Sequence, residues 1–469
     1  MIATLYHAHR GSVNFLVRIC GTKLATVPLE ESAFDHRNAK FHHAFRVAGY
    51  AQPRLKIAIF TEVYRPIVNG VVTSIDSLAD HLRRAGHDVY TFAPHIPKGA
   101  ETLGRVFRMP SLPLPARTEY RLTLPLVSRK NKRAFLGQCD VIHSHSLFIT
   151  GWMASYYARR RFRVPLVFTY HTMLENYAHY SPLGQRLTAQ LTRELTRSYA
   201  NAADAVIVPT QAVASQLRQQ GVNAPLCVVP TGIDIDAFRS GDASRGMAIR
   251  SRHGIALDAP LVLLVSRLAL EKNVPLVFAA LKQLRNRLPA TRLLLVGAGP
   301  LHETLKLHAA TEGLDDAIAF AGVVPHADLP AYYSAADVFA FPSSTETQGL
   351  VMAEAFAAGL PVVAVDTPQA RDVFGIHLAG ELVADADAMG QALFALLTSP
   401  ERRAAASAHS RAAAAQFDAR ATAGRVFAVY NAVLANKAGL ADMTAFDELF
   451  EVVDPGLVPE DVREGSAQP

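Results

Sequence analysis

From residue 54 onward, short runs of consecutive apolar residues recur, each ending in a polar or glycine-bearing loop. LKIAIF (55–60) is the first. An unbroken run of this length suits a strand buried on both faces, as in a parallel sheet. SIDSLADHLRRAGH (74–87) has another period: Ile75, Leu78, Ala79 and Leu82 fall on one helical face, and Gly86 ends the stretch. DVYTFAP, DVIHSH, PLVFTYH, AVIVPT and LCVVPTG then read as strands, with helical segments between most of them. Strand and helix in alternation predict a doubly wound α/β domain.

The pattern restarts at APLVLLVSR (259–267). An amphipathic helix follows, then TRLLLVGAG, AIAFAGVV, DVFAFPS and LPVVAVD as strands. Two α/β halves of similar size facing a cleft are expected, with residues 233–258 as the linker. The predicted organisation is a loose extension over 1–52, a first half over 53–235 and a second over 236–412. Helices over 413–437 would pack back on the first half, and an acidic tail fills 438–469. Ligands of such folds bind at the carboxyl ends of the strands, so the loops there hold the candidate chemistry.

Composition adds three constraints. Half of the 469 residues are hydrophobic and 19% are charged, which suits a folded protein with more than one core. Three cysteines, Cys20, Cys139 and Cys227, lie far apart without metal or redox spacing, as reduced cytoplasmic thiols would. No apolar run approaches the roughly 18 residues of a membrane span, and Arg10 and Arg18 interrupt any signal-like centre.

Charge is uneven. Residues 53–240 hold 23 Lys and Arg against 12 Asp and Glu, whereas residues 241–469 hold 18 against 26. A basic first half suits an anionic partner. RTEYRLTLPLVSRKNKRAF (117–135) sets Arg117, Arg121, Arg129, Lys130, Lys132 and Arg133 among apolar residues, and Arg159, Arg160, Arg161 and Arg163 follow. Such a surface can sit on anionic lipid headgroups; a solvated helix face reads the same. Nucleic acid is not expected as partner, because the basic residues lack interleaved aromatic platforms.

In the second half, Arg267 and Lys272 of SRLALEKN follow the first strand. They are two cations that could neutralise a diphosphate, or a surface pair bridged by Glu271. In SSTETQGLVMAEAFAAG a helix should begin near Gly349 or Leu350, offering free N–H groups to a phosphate. Glu346 precedes that helix start and could reach a sugar ring; Glu354, a turn beyond Leu350, could accept from a ribose diol. In the first half, Asn69 and Gly70 form a loop-to-helix turn, His145 and His171 end strands, and Glu175 lies in the polar, aromatic TYHTMLENYAHY. VGAGPLH has His302 where a dinucleotide fingerprint needs its last glycine, so hydride transfer is excluded.

The NG loop, HSHSLF, TYHT, VPTGID, SRLALEKN, VGAGP and ETQGLVMAE occur in one order between residues 55 and 372. Together they resemble the family 4 retaining glycosyltransferases of GT-B fold, with two Rossmann-like domains. The resemblance implies diphosphate binding by Arg267 and Lys272, sugar contact by Glu346 and ribose contact by Glu354. His171 would lie at the donor sugar near the reacting carbon. It also implies a metal-independent reaction without a cofactor, a nucleotide-diphosphate sugar as substrate, and front-face attack with no protein nucleophile.

TYHTMLENYAHY and TETQGLV look most like diacylglycerol α-glucosyltransferases, which implies UDP-glucose, a lipid acceptor and a peripheral position on the inner face of the cell membrane. GDP-mannose-dependent α-mannosyltransferases and sulfoquinovosyl-diacylglycerol synthases are close seconds. Where many members carry a glycine pair followed by Glu, this chain has DTPQARDVF (366–374), so those backbone contacts to the sugar do not carry over. A nucleotide-sugar epimerase and an inactive nucleotide-sugar-binding paralogue are the rival classes.

Overall fold

The computed structural model describes residues 4–9, 12–17 and 54–439, apart from 68, 97–104, 115, 116, 126, 128, 129, 176–183 and 240–242. The chain divides into two compact units, Met1–Pro53 and Arg54–Pro469. The first, where the sequence shows no sustained period, contains an antiparallel pair, β1 (Thr4–His9) and β2 (Ser12–Val17). The rest of 1–52, the tail from 440, and Tyr177, His179 and Tyr180 of the polar loop lie outside the described residues.

The second unit begins with β3 (Lys56–Phe60), α1 (Gly70–Arg84), β4 (Asp88–Pro94), β5 (Val106–Met109), β6 (Ser111–Leu114), β7 (Arg117–Thr123) and α2 (Lys130–Leu136). β8 (Val141–Ser144), α3 (Ile149–Ser155), β9 (Leu166–Thr169), α4 (Gln185–Ala200), β10 (Ala205–Val208), α5 (Gln211–Gln219) and β11 (Leu226–Val228) complete the first half. Its seven-stranded sheet has the order β11-β10-β9-β8-β3-β4-β5, with every pairing parallel. β3 reads as an unbroken apolar run because both faces are covered. Ile57 and Ile59 point to a core with α1, while Ala58 and Phe60 point to the opposite core.

Residues 233–258, expected as a linker, contain α6 (Ile235–Arg239) and α7 (Ala243–Arg252), which pack within the second half. Their short polar-rich sequences carry too weak a period to read as helices. Then come β12 (Leu261–Val265), α8 (Val274–Arg287), β13 (Arg292–Val296), α9 (His302–Thr311), β14 (Ile318–Gly322), α10 (Leu329–Ala335), β15 (Val338–Phe341) and α11 (Leu350–Ala357). β16 (Val362–Val365), α12 (Pro368–Phe374), β17 (Gly380–Val383), α13 (Ala386–Thr398), α14 (Pro400–Ala414) and α15 (Ala419–Lys437) follow. The second sheet is also parallel, in the order β14-β13-β12-β15-β16-β17. Leu261, Leu263 and Val265 face one core and Val262 and Leu264 the other.

Both sheets reverse strand order beside their first strand, β3 against β8 and β12 against β15. The crevices outside those strand ends are where open α/β sheets bind ligands. The chain crosses between halves twice, side by side: Ile233 donates to Phe417 O (2.8 Å), and Ala419 donates to Ile233 O (3.0 Å). Gly232 is needed there, since a Cβ would lie 2.6 Å from Ala419 Cα. After this crossing α15 returns to the first half and buries Val426, Phe427, Tyr430 and Val433 beside Leu78 and Leu82 of α1. No described helix is long and apolar enough to cross a membrane.

Candidate active site

A cleft of about 620 Å³ lies between the halves. Its walls bring together Asn69, Gly70, His171, Arg267, Lys272, Glu346, Gly349 and Leu350. These were separate sequence candidates, and the strand ends of both sheets deliver them to one place. His145, Glu175 and Glu354 are not among the cleft-lining residues.

Two loops build the floor. The segment after β12 carries Arg267 and Lys272, and it packs tightly on the VGAG segment after β13. A Cβ on Gly297 would lie 1.9 Å from Ser266 O, and one on Gly299 2.2 Å from Leu268 O. These glycines therefore let two loop backbones touch, a use distinct from dinucleotide binding. Arg267 is paired with Glu271, whose side chain is buried, and Lys272 is paired with Glu346. Ser343 donates to Glu346 Oε1 (3.2 Å) and so aims that carboxylate at the lysine. Without a ligand, each cation meets a glutamate; a diphosphate entering here would compete for both.

β15 feeds the helix start. Gly349 sits at φ +78°, and a Cβ there would lie 2.9 Å from both Phe341 Cζ and Met352 Cε, so both the turn and the space demand glycine. No side chain caps α11, which leaves its first N–H groups to the cleft. Gly70 faces this start across the cleft: a Cβ on it would be 3.4 Å from Leu350 Cδ1. Asn69 caps α1, accepting from Val72 N at 3.0 Å.

Glu354 lies behind the cleft wall. Its Oε2 accepts from the Tyr333 hydroxyl (2.8 Å), and its Oε1 is 3.3 Å from His326 Nε2. That contact raises the His326 pKa. Glu175 sits elsewhere: its Oε1 accepts from Gln216 of α5 and from Gln220 just past that helix, 2.8 Å each. The chain turns it toward α5, away from the cleft lining.

The histidines form a column, with His143 and His145 buried and His171 half-buried at the cleft. His145 Nδ1 is 2.8 Å from His171 Nε2. Behind them His143 bonds the Tyr430 hydroxyl of α15 and the Thr169 hydroxyl, both at 2.7 Å. Burial holds all three neutral, lowering His171 to about 4 and His143 to about 3, and His145 well below the ordinary value.

Sequence reasoning missed the residues that join the halves. Thr347 donates to His171 O (2.9 Å), and Thr210 donates to Thr347 O (3.0 Å). Gln348 takes Thr231 N (2.7 Å) and donates to Thr231 O (3.1 Å). The DTPQARDVF segment forms α12 and packs on α5, where Asp372 accepts from Ala212 N (2.6 Å). Thr347 and Gln348 lie inside the quoted motif, but only their partners, over a hundred residues away, reveal their role.

Residues 68–237 match the family described as Glycosyltransferase Family 4, and residues 247–413 match the one described as Glycosyl transferases group 1. The chain is 31% identical over 352 residues to the alpha-monoglucosyldiacylglycerol synthase of Streptococcus pneumoniae, spanning 74% of this chain and 79% of that one. The chain belongs to glycosyltransferase family 4. It is also 32% identical over 336 residues to a GDP-mannose-dependent alpha-mannosyltransferase of Mycobacterium tuberculosis, covering 70% of this chain and 84% of the relative. In structure it is similar to Anabaena Alr3699/HepE, with a TM-score of 0.65, 22% identity, and coverage of 81% of this chain and 100% of that one. The family 4 enzyme is thus a GT-B hexosyltransferase whose substrate is a nucleotide-sugar donor.

Proposed function

We propose that this glycosyltransferase moves glucose from UDP-glucose to a lipid acceptor such as diacylglycerol, with retention of configuration. The observation that carries the lipid half is a second pocket, of about 140 Å³, lined by Val63, Leu147, Phe148, Phe168 and Leu174 and meeting the donor cleft at His171. From its mouth an apolar stripe runs outward along α3: Phe148, Trp152 and Tyr156 are 47%, 43% and 55% exposed. They are four residues apart, on one helical face. Arg159, Arg160, Arg161 and Arg163 follow, all exposed. An acyl chain in the pocket with the stripe on a membrane surface would bring a glycerol hydroxyl to His171. Each nearby basic residue would add about 1 kcal/mol on anionic lipid.

At the donor, Arg267 and Lys272 take the diphosphate beside the α11 N-terminus, and Glu346, released from Lys272, takes the sugar hydroxyls. The ribose diol replaces His326 at Glu354. The acceptor oxygen attacks the anomeric carbon on the face the phosphate leaves, the carbon–phosphate-oxygen bond breaks, and the acceptor proton passes to the departing diphosphate. The protein contributes placement and charge stabilisation. The similarity to a GDP-mannose-dependent enzyme supports a second reading, GDP-mannose as donor.

A thermal-shift screen of UDP, GDP and ADP separates the donors. A nucleotide at 100 times its dissociation constant stabilises by about 2.7 kcal/mol. UDP is expected to give the largest shift; a larger shift with GDP would move the assignment to mannose, and no shift with any nucleotide would contradict the donor site.

A further inference from the structure

We propose that His145 is a positioning residue. Its Nδ1–H donates to His171 Nε2, which fixes His171 as the tautomer that carries its own proton on Nδ1 and offers it to the cleft as a hydrogen-bond donor.

The geometry of the column gives the direction of this bond. The two nitrogens, 2.8 Å apart, share one proton. His145 is 7% exposed, and its Nε2 is enclosed with no protein partner among the described residues. A proton on that Nε2 would bury an unmet N–H donor, the kind of group folded proteins leave unpaired least often. A proton on Nδ1 meets His171 and leaves only a lone pair enclosed. The His145 ring packs against His143, with centroids 4.2 Å apart and the rings tilted by 41°, and His143 is itself bonded at both of its nitrogens. His171 is held from the other side at its carbonyl by Thr347. Side chain and backbone are thus fixed by different halves, and Nδ1 is the ring nitrogen left to a ligand.

The consequence is chemical. With Nε2 accepting and Nδ1 protonated, His171 has no free lone pair and cannot take the acceptor proton. It can only donate to an oxygen of the sugar or the departing phosphate. Burial agrees, holding the ring neutral. The role rests on the reading that His171 borders the donor sugar, so the test includes a measurement independent of activity.

Nitrogen-15 spectra of histidine-labelled full-length protein at pH 7.5, with the His171 signals assigned from His171→Asn, read the tautomer directly. Wild type should show Nδ1–H at His171; an Nε2–H form would overturn the proposal, whatever donor the enzyme uses. His145→Phe removes the partner while keeping ring volume. It should shift His171 toward Nε2–H and lower kcat about 100-fold, with KM for the sugar nucleotide within about threefold. His145→Asn, whose carboxamide can place an N–H where Nδ1 stood, should keep the tautomer and recover kcat to within about tenfold of wild type. Unchanged kcat in His145→Phe would contradict the role. Should that variant unfold, loss of kcat in a folded His145→Asn that keeps the tautomer would do the same.

Discussion

Glu346 and Glu354 were paired by sequence, but their surroundings separate them. Glu346 lines the cleft with Lys272 and Ser343 at its carboxylate, while Glu354 sits behind the wall, held by Tyr333 and His326. Glu346→Gln should therefore lower kcat about 100-fold with little change in UDP affinity. Glu354→Gln should instead weaken UDP binding, by about 2 kcal/mol for a lost charged hydrogen bond. Calorimetric titration with UDP, set beside steady-state rates, checks both; near-normal kinetics in both variants would contradict the assignment. Gly349 is a third case. At φ +78°, with Phe341 and Met352 against it, Gly349→Ala should cost about 1–3 kcal/mol and displace the helix start, read by urea unfolding.

At the scale of elements, the strands were legible because a run buried on both faces is apolar at every position, as in β3 and β12. α1 and α11 were legible because their starts carry local signals, Asn69 and Gly349. What sequence could not supply was contact between distant elements. Tyr430 meets His143 across 287 positions, and Gln348 meets Thr231 across 117. Glu175 is a like case: its carboxylate is held by Gln216 and Gln220, more than forty positions away.

α15 should be integral to the first half. Phe427 is buried and stacks on His87, so Phe427→Ala should cost about 3–5 kcal/mol in urea unfolding. The histidine column gives a pH dependence. Its groups are depressed in the fold and ordinary when unfolded, so the unfolded chain binds more protons in acid. The stability tied to them is fully present above about pH 6.5 and is lost as pH falls toward 4 for His171 and 3 for His143. The urea midpoint should fall between pH 7.5 and 5, and less so in His143→Gln; equal slopes would contradict a neutral column.

At the scale of the whole molecule, the proposed reaction would bring two unlike substrates against one histidine, a charged donor between the halves and an apolar acceptor from the α3 surface of the first half. The charge imbalance seen in sequence suited an anionic partner, and the structure adds Phe148, Trp152 and Tyr156 as an apolar stripe beside exposed arginines. Of the basic segment 117–135, the side chains of Arg117, Arg129, Lys130 and Lys132 lie outside the described residues. The most direct test of the account is release of UDP from UDP-glucose by wild type and Lys272→Ala, with and without diacylglycerol in anionic mixed micelles. Wild type should release UDP only when diacylglycerol is present, and Lys272→Ala should do so about 100-fold more slowly. Release that ignores the acceptor, or a Lys272→Ala rate equal to wild type, would contradict it.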